Sequence, residues 1–213
     1  MILVDILLRL GLLSYYINHY IRSKSVMICI VNFGSRKTVR IQACMDTLGF
    51  ASRILNWDDA ETTNWNDFSA VILSGAPVLL TDCDYRKYLE RFSFLKNTNI
   101  PVLGICFGHQ LLGLLFGSSV YKSDAVRSET EITLLSRDDL FGGCEEKILM
   151  MEDHTEGITL PDSFLRLACS AKYEVEAMKH PHLNLFGVQF HPEVSAENGL
   201  KLLNNFCQLT LLN

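Results

Sequence analysis

One thiol in this sequence stands where a thiol can attack. The segment Gly104-Ile105-Cys106-Phe107-Gly108 joins an apolar run over 100–105 to a second run that carries Leu111, Leu112, Leu114 and Leu115. A Gly-x-nucleophile-x-Gly spacing lets a strand reverse sharply into a helix, because glycines leave room where side chains would collide. The helix that follows aims its unpaired N–H groups at the thiol, where they favour the thiolate and can hold an oxyanion. A free cysteine in such a run is otherwise a buried packing residue. What separates the two readings is a base. The segment GVQFHPEV, Gly187 to Val194, places His191 and Glu193 at i and i+2, on one side of an extended chain. In that pairing His191 takes the thiol proton and later returns it to a leaving amine, while Glu193 fixes the tautomer and stabilises the imidazolium. Alone, His-Pro-Glu reads as a solvated turn at a strand end. With the cysteine elbow upstream, acyl transfer by a thiol takes precedence.

Such groups need a frame, and the hydrophobic periodicity supplies one. From Met27 the pattern predicts a buried strand in MICIV, a helix in RKTVRIQACMDTLG closed by Gly49, a strand in SAVILSG and an amphipathic helix in DYRKYLERFSFLKN. The strand IPVLGIC and the helix GHQLLGLLFG follow. Strands alternating with helices over short connections predict an α/β fold, with a mainly parallel central sheet and helices on both faces. Ligands of such sheets gather beyond the carboxyl ends of the strands, where Cys106 stands. The second half is β-rich: SETEITLL, EKILMME, FLRLACS, YEVEAMKH and NLFGVQF precede a closing helix near NGLKLLNNFCQLT.

With 213 residues, 48% of them apolar, the chain suits one domain of ordinary size. A net charge of -5 offers no basic face wide enough for a phosphate backbone, so no nucleic acid partner is expected. Seven scattered cysteines, without Cys-x-x-Cys or paired histidines, predict a reducing cytoplasmic setting and no metal site. The apolar stretch within residues 1–26 is interrupted by Asp5 and Arg9, and its basic residues Arg22 and Lys24 follow it. It therefore fits neither a secretory signal nor a membrane span. It is expected to be a loosely attached helix, or a stretch preceding a natural beginning at Met27, outside a domain of residues 27–213, with a packing or oligomer helix and membrane contact as the alternatives.

GICFGHQ together with GVQFHPEV resembles the class I glutamine amidotransferases. The likeness runs from about Met27 to the end, and VNFGS, DDLFGG, MEDHTEG and EVEAMKH make it most similar to the free-standing glutaminase subunits of two-subunit GMP synthases. The resemblance implies a flavodoxin-like sheet and a triad of Cys106 as nucleophile, His191 as base and acid, and Glu193 as orienting residue. It also implies an oxyanion hole from the N–H groups of Phe107 and Ala76, and contacts to glutamine from Gln110 and Gly75. No cofactor is implied. The substrate would be L-glutamine, and the ammonia would pass to a separate ATP-dependent synthetase that aminates a nucleotide such as xanthosine monophosphate. An amidotransferase of another pathway, a γ-glutamyl hydrolase and a catalytically weak binding relative are the alternatives.

Two departures from the family pattern stand out. Ser74-Gly75-Ala76-Pro77 replaces Ser-Gly-Gly-Pro. If residue 76 needs a positive φ, its methyl group strains the oxyanion hole, and Ala76→Gly would recover up to about tenfold in activity. In MEDHTEG, Asp153, His154 and Glu156 replace the family's Ser-His-x-Asp, leaving His154 as a site wall, a partner contact or a solvated loop residue. His109 is expected to pack rather than react, and His180 and His182 to sit in a turn.

Overall fold

The inner strands read as continuous apolar runs because both of their faces are covered. In the computed structural model, which describes residues 26–211, the elements are β1 (Met27–Asn32), α1 (Thr38–Leu48), β2 (Ala51–Asn56), β3 (Ala70–Leu73), α2 (Arg86–Arg91), β4 (Val102–Ile105) and α3 (Phe107–Leu115). Then come β5 (Val120–Val126), β6 (Glu129–Leu134), β7 (Lys147–Met151), β8 (His154–Ile158), β9 (Leu165–Cys169), β10 (Ala177–Lys179), β11 (Leu185–Val188) and α4 (Ala196–Leu209). Ile28 and Ile30 of β1, Ile72 of β3 and Ile105 of β4 face Ile41 and Met45 of α1 and Leu202, Leu203 and Phe206 of α4. Their neighbours Cys29, Val31, Val71 and Leu73 point the other way, against Tyr88 of α2 and Leu111 and Leu112 of α3. Alternate residues thus fill two separate cores, the pattern of a sheet buried on both sides.

The main sheet runs β2-β1-β3-β4-β11-β10-β9-β6-β7. Strands β2, β1, β3, β4 and β11 are mutually parallel, as the alternation predicts. The β-rich second half extends that sheet by antiparallel pairing through β10, β9, β6 and β7. Strands β5 and β8 form a separate antiparallel pair. Among the described residues no helix is long and apolar enough to cross a membrane. The amino-terminal apolar segment lies outside the described residues except for Val26, whose side chain is buried.

At three places the structure goes beyond or departs from the local sequence pattern. The helix expected over DYRKYLERFSFLKN is only α2, followed by a 3-10 turn at Ser93–Asn97, so its apolar residues meet the core from two short pieces. Strand β2 has no clear periodic signal because it is an edge strand, partly exposed along its length. MEDHTEG is not a free loop. Its second half is β8, held by pairing with β5. Gly49, in contrast, ends α1 as expected: its φ of 80° is the left-handed cap, and its N–H reaches back to carbonyls of the last turn.

Candidate active site

The parallel pairing of β4 and β11 builds the site. Gly104 lies opposite Gly187 and Ile105 opposite Val188, so the residues that leave the two carboxyl ends emerge side by side. Cys106 is anchored there by its N–H, which donates to the Val188 carbonyl at 2.8 Å. Its backbone has φ 52° and ψ -105°, a conformation that costs a non-glycine residue of order 1–3 kcal/mol. The flanking glycines serve close approach. A Cβ on Gly104 would fall 2.5 Å from the Gly108 carbonyl oxygen, and one on Gly108 would fall 2.3 Å from that of Leu73. The first turn of α3 can therefore pack directly onto β3 and β4, which holds the strained elbow in place.

His191 and Glu193 follow β11 on the neighbouring path. His191 Nδ1 lies 2.7 Å from Glu193 Oε1, and both side chains are buried. The backbone N–H of His191 donates to the Met151 carbonyl at 2.8 Å, which pins the chain beneath the ring. The other ring nitrogen, Nε2, meets no partner at hydrogen-bonding geometry but lies close enough to feel the charge of the Cys106 sulfur. Burial opposes the imidazolium, yet the Cys106 thiolate and the Glu193 carboxylate outweigh it and push His191 up to about 10. The arrangement sets a charged imidazole beside the Cys106 sulfur in a dry setting, which is what a thiol nucleophile with its proton carrier requires.

A narrow slot of about 40 Å³ opens beside the sulfur, lined by Ala76, Cys106, Phe107, Gln110, His154 and Glu156 among others. The N–H groups of Phe107 and Ala76 have no partner among the described residues, and both residues line the slot. The φ of Ala76 is not positive: among the described residues only Cys106 and Ala196 combine a side chain with positive φ. The strain considered for this position does not arise. Gly75 is the crowded member, since a Cβ there would lie 3.2 Å from His191 Cε1 and 3.7 Å from Cys106 Cβ. A larger cleft of about 760 Å³, formed by the loop between β6 and β7, includes none of these residues.

Gln110 is buried, and its amide orientation is decided by its partners. One of them is the Glu156 carbonyl oxygen at 2.9 Å, which can only accept, so the atom facing it is Nε2; Gln189 Oε1 lies 3.1 Å from the same nitrogen. Only Oε1 of Gln110 remains free to accept from a ligand. His154 is neither solvated nor at the surface: its Nδ1 lies 2.9 Å from the Glu156 carbonyl oxygen and its Nε2 2.5 Å from Glu152 Oε2. His109 packs in the core against Gly187, where burial drives it down to about 3.

Sequence reasoning does not reach Glu156 as a structural element of the site. Its buried carboxylate accepts from the N–H groups of Leu80 and Thr81 at 2.8 and 2.9 Å and from the Thr81 hydroxyl at 2.6 Å. It thereby ties the segment after Ala76 to β8. Nor does it reach Glu176. Burial, then the nearby Glu152, raise the Glu176 carboxyl to about 9. Both stand among other polar residues, Glu152, Asp153 and His154 in one segment and Glu174 in the other, so nothing local distinguishes a buried carboxylate from an exposed one.

Known proteins share this architecture. The family description "Glutamine amidotransferase class-I" matches residues 29–209. A glutamine-hydrolysing GMP synthase subunit of Pyrococcus abyssi is 37% identical over 187 residues, spanning 86% of this chain and 98% of that protein. The Pyrococcus furiosus protein of the same name is 36% identical over 191 residues, with the same shares covered. A protein of Thermoplasma acidophilum of the GMP synthase subunit type superposes with a TM-score of 0.81 at 28% identity, over 88% of this chain and 95% of that one. A glutamine amidotransferase of Thermotoga maritima has the same fold, with a TM-score of 0.74 at 19% identity over 89% and 99% of the two chains. With a family match spanning most of the chain and relatives of such identity and near-complete coverage, this chain belongs to the class I glutamine amidotransferases.

Proposed function

We propose that this chain is the glutamine-hydrolysing component of a two-subunit GMP synthase, working through Cys106, His191 and Glu193. The observation that carries the reading is the meeting of a strained Cys106 with an imidazole whose far nitrogen is 2.7 Å from a buried carboxylate. In the first half-reaction the Cys106 thiolate attacks the side-chain amide carbon of glutamine. The N–H groups of Phe107 and Ala76 hold the oxygen as it gains charge. Collapse breaks the carbon–nitrogen bond, the nitrogen takes the proton of His191 and ammonia leaves, with a γ-glutamyl thioester remaining on Cys106. Water then attacks the thioester, giving its proton to His191 as the sulfur departs, and glutamate is released. Glu193 keeps the imidazole oriented in both steps. Gln110 Oε1 accepts from a donor on the substrate, and Gly75 leaves it room beside His191.

The ammonia acceptor belongs to a separate ATP-dependent synthetase, with xanthosine monophosphate as the acceptor. The narrowness of the slot supports a glutaminase that is slow alone, because a ligand pocket normally encloses about 300 Å³ or more. Docking of the synthetase would shift the segment 76–79 toward an open, competent state. The unstrained Ala76 removes the main support for a catalytically weak relative. The test is glutamate formation from glutamine by the chain alone and with the synthetase, ATP and xanthosine monophosphate. The expected result is a rise of roughly tenfold or more on adding the partner, together with GMP. Glutamine hydrolysis without GMP would assign the chain to another pathway, and no hydrolysis in any mixture would overturn the reading.

A further inference from the structure

Behind the wall of the slot, away from Cys106, three buried side chains converge. Glu152 follows β7, His154 opens β8 and Glu176 immediately precedes β10. One oxygen of each glutamate and one nitrogen of His154 all lie within 4.8 Å of one another, and the three residues are only 1%, 7% and 0% exposed. Among the described residues no other group of three such side chains comes together in this way. Neither oxygen of Glu176, nor Oε1 of Glu152, meets a donor group of another residue at hydrogen-bonding geometry, although Ser170 lies near Glu176 and the Glu152 carboxyl lies beside it. Buried acceptors are otherwise almost always satisfied, so two buried carboxyls facing each other need either a proton or a cation between them. The neighbouring basic residues Lys37 and Arg127 do not supply it, because both pair with Asp153 on the outer side of the same turn.

His154 is prepared for one particular occupant. Its Nδ1 faces the Glu156 carbonyl oxygen, which can only accept, so Nδ1 carries a proton and Nε2 is the nitrogen turned toward the carboxylates, 2.5 Å from Glu152 Oε2 across a shared proton that a metal ion would displace. A histidine that donates its far N–H to a backbone carbonyl is the usual partner arrangement for a metal-ligating imidazole. We propose that Glu152, His154 and Glu176 form a binding site for a divalent transition metal of the nitrogen and oxygen type, such as Zn²⁺ or Mn²⁺. Two carboxylates and a neutral imidazole would balance the charge of such an ion. Ligand bonds of about 2.0–2.2 Å need ligand atoms more than about 3 Å apart, so the Glu152 side chain must withdraw slightly from His154. A fourth position remains for water, and the slot that His154 lines is the entry path. The ion would bind β8, which carries Glu156 and the slot wall, to β10 of the main sheet. Its binding does not depend on which reaction Cys106 performs.

The test uses the full chain with Cys106→Ala, so that the reactive thiol does not compete for metal. After chelator treatment, Zn²⁺ and separately Mn²⁺ are titrated while bound metal and Tm are followed, and X-ray absorption is recorded on the zinc form. One equivalent of metal, a raised Tm and a first shell of nitrogen and oxygen only are expected. Glu176→Gln, which keeps the shape and removes the charge, should weaken binding by roughly tenfold or more and abolish the Tm shift. If that variant does not fold, Glu152→Gln replaces it, and the absorption spectrum of the unsubstituted cluster needs no variant. Absence of stoichiometric binding, sulfur in the first shell, or unchanged affinity in the glutamine variants would overturn the site and leave a proton shared between the two carboxyls as its occupant.

Discussion

Gly75 and His191 touch so closely that residue 75 cannot carry a side chain without moving the imidazole. A Cβ there would stand 3.2 Å from His191 Cε1. The ring has little freedom to yield, being buried and held through Nδ1 by Glu193. Gly75→Ala should therefore displace His191 from Cys106 while leaving the fold intact. Because small misplacements of reacting groups are costly, glutamine turnover should fall by roughly 10- to 100-fold with an unchanged melting temperature. Full activity in the variant would show that the ring can shift without loss.

Ala76→Gly should do little to activity. The residue does not occupy the left-handed region, so removing its methyl group relieves no strain. Steady-state kcat/KM should change by less than about twofold, and stability should fall by about 0.5–1 kcal/mol as the unfolded chain gains freedom. A gain approaching tenfold would mean that the loop adopts another conformation during turnover.

The charged state of His191 can be read in two ways. Burial raises the thiols of Cys29, Cys44, Cys83, Cys144 and Cys207, whereas Cys106 faces an imidazolium. At pH 7 a haloacetamide should label Cys106 ahead of these five, and His191→Gln should slow that labelling by roughly tenfold, the effect of about 1.4 kcal/mol of lost charge stabilisation. The second readout is stability against pH. The folded value near 10 exceeds the ordinary 6.5, so the proton on His191 stabilises the fold fully below about pH 6.5, and that contribution is lost as pH rises toward 10. Over this window wild type should lose more stability than His191→Gln. Parallel curves would contradict the raised value.

Glu156 is expected to act as a clamp. Its carboxylate receives three donors from Leu80 and Thr81, bonds of the charge-assisted kind. Glu156→Gln replaces one acceptor by an NH₂ group that faces donors and leaves them unsatisfied in the core. We expect a loss of about 2–3 kcal/mol in denaturant unfolding and a raised KM for glutamine as the segment 76–81 loosens. Unchanged stability would show that water replaces the carboxylate without cost.

Near neighbours along the chain dictate the parts of this protein that are legible before folding. The glycines around Cys106, the His191–Glu193 spacing and the two-sided apolar strands are local patterns, governed by sterics and by the periods of helix and strand. They are enough to place Cys106 at a strand end and to anticipate the parallel half of the sheet. Contacts between remote segments govern the remainder. The φ of Ala76 follows from how its segment crosses the elbow, and Gly75 is crowded by a ring from beyond the far end of β11. Glu156 reaches Leu80 and Thr81 through the pairing of β8 with β5, and Glu176 meets Glu152 and His154 from a different strand connection. A carboxylate in an isolated sequence reads as solvated because water is its most accessible partner. Burial between strands remote in sequence removes that water, and only then do its lone pairs acquire a required partner.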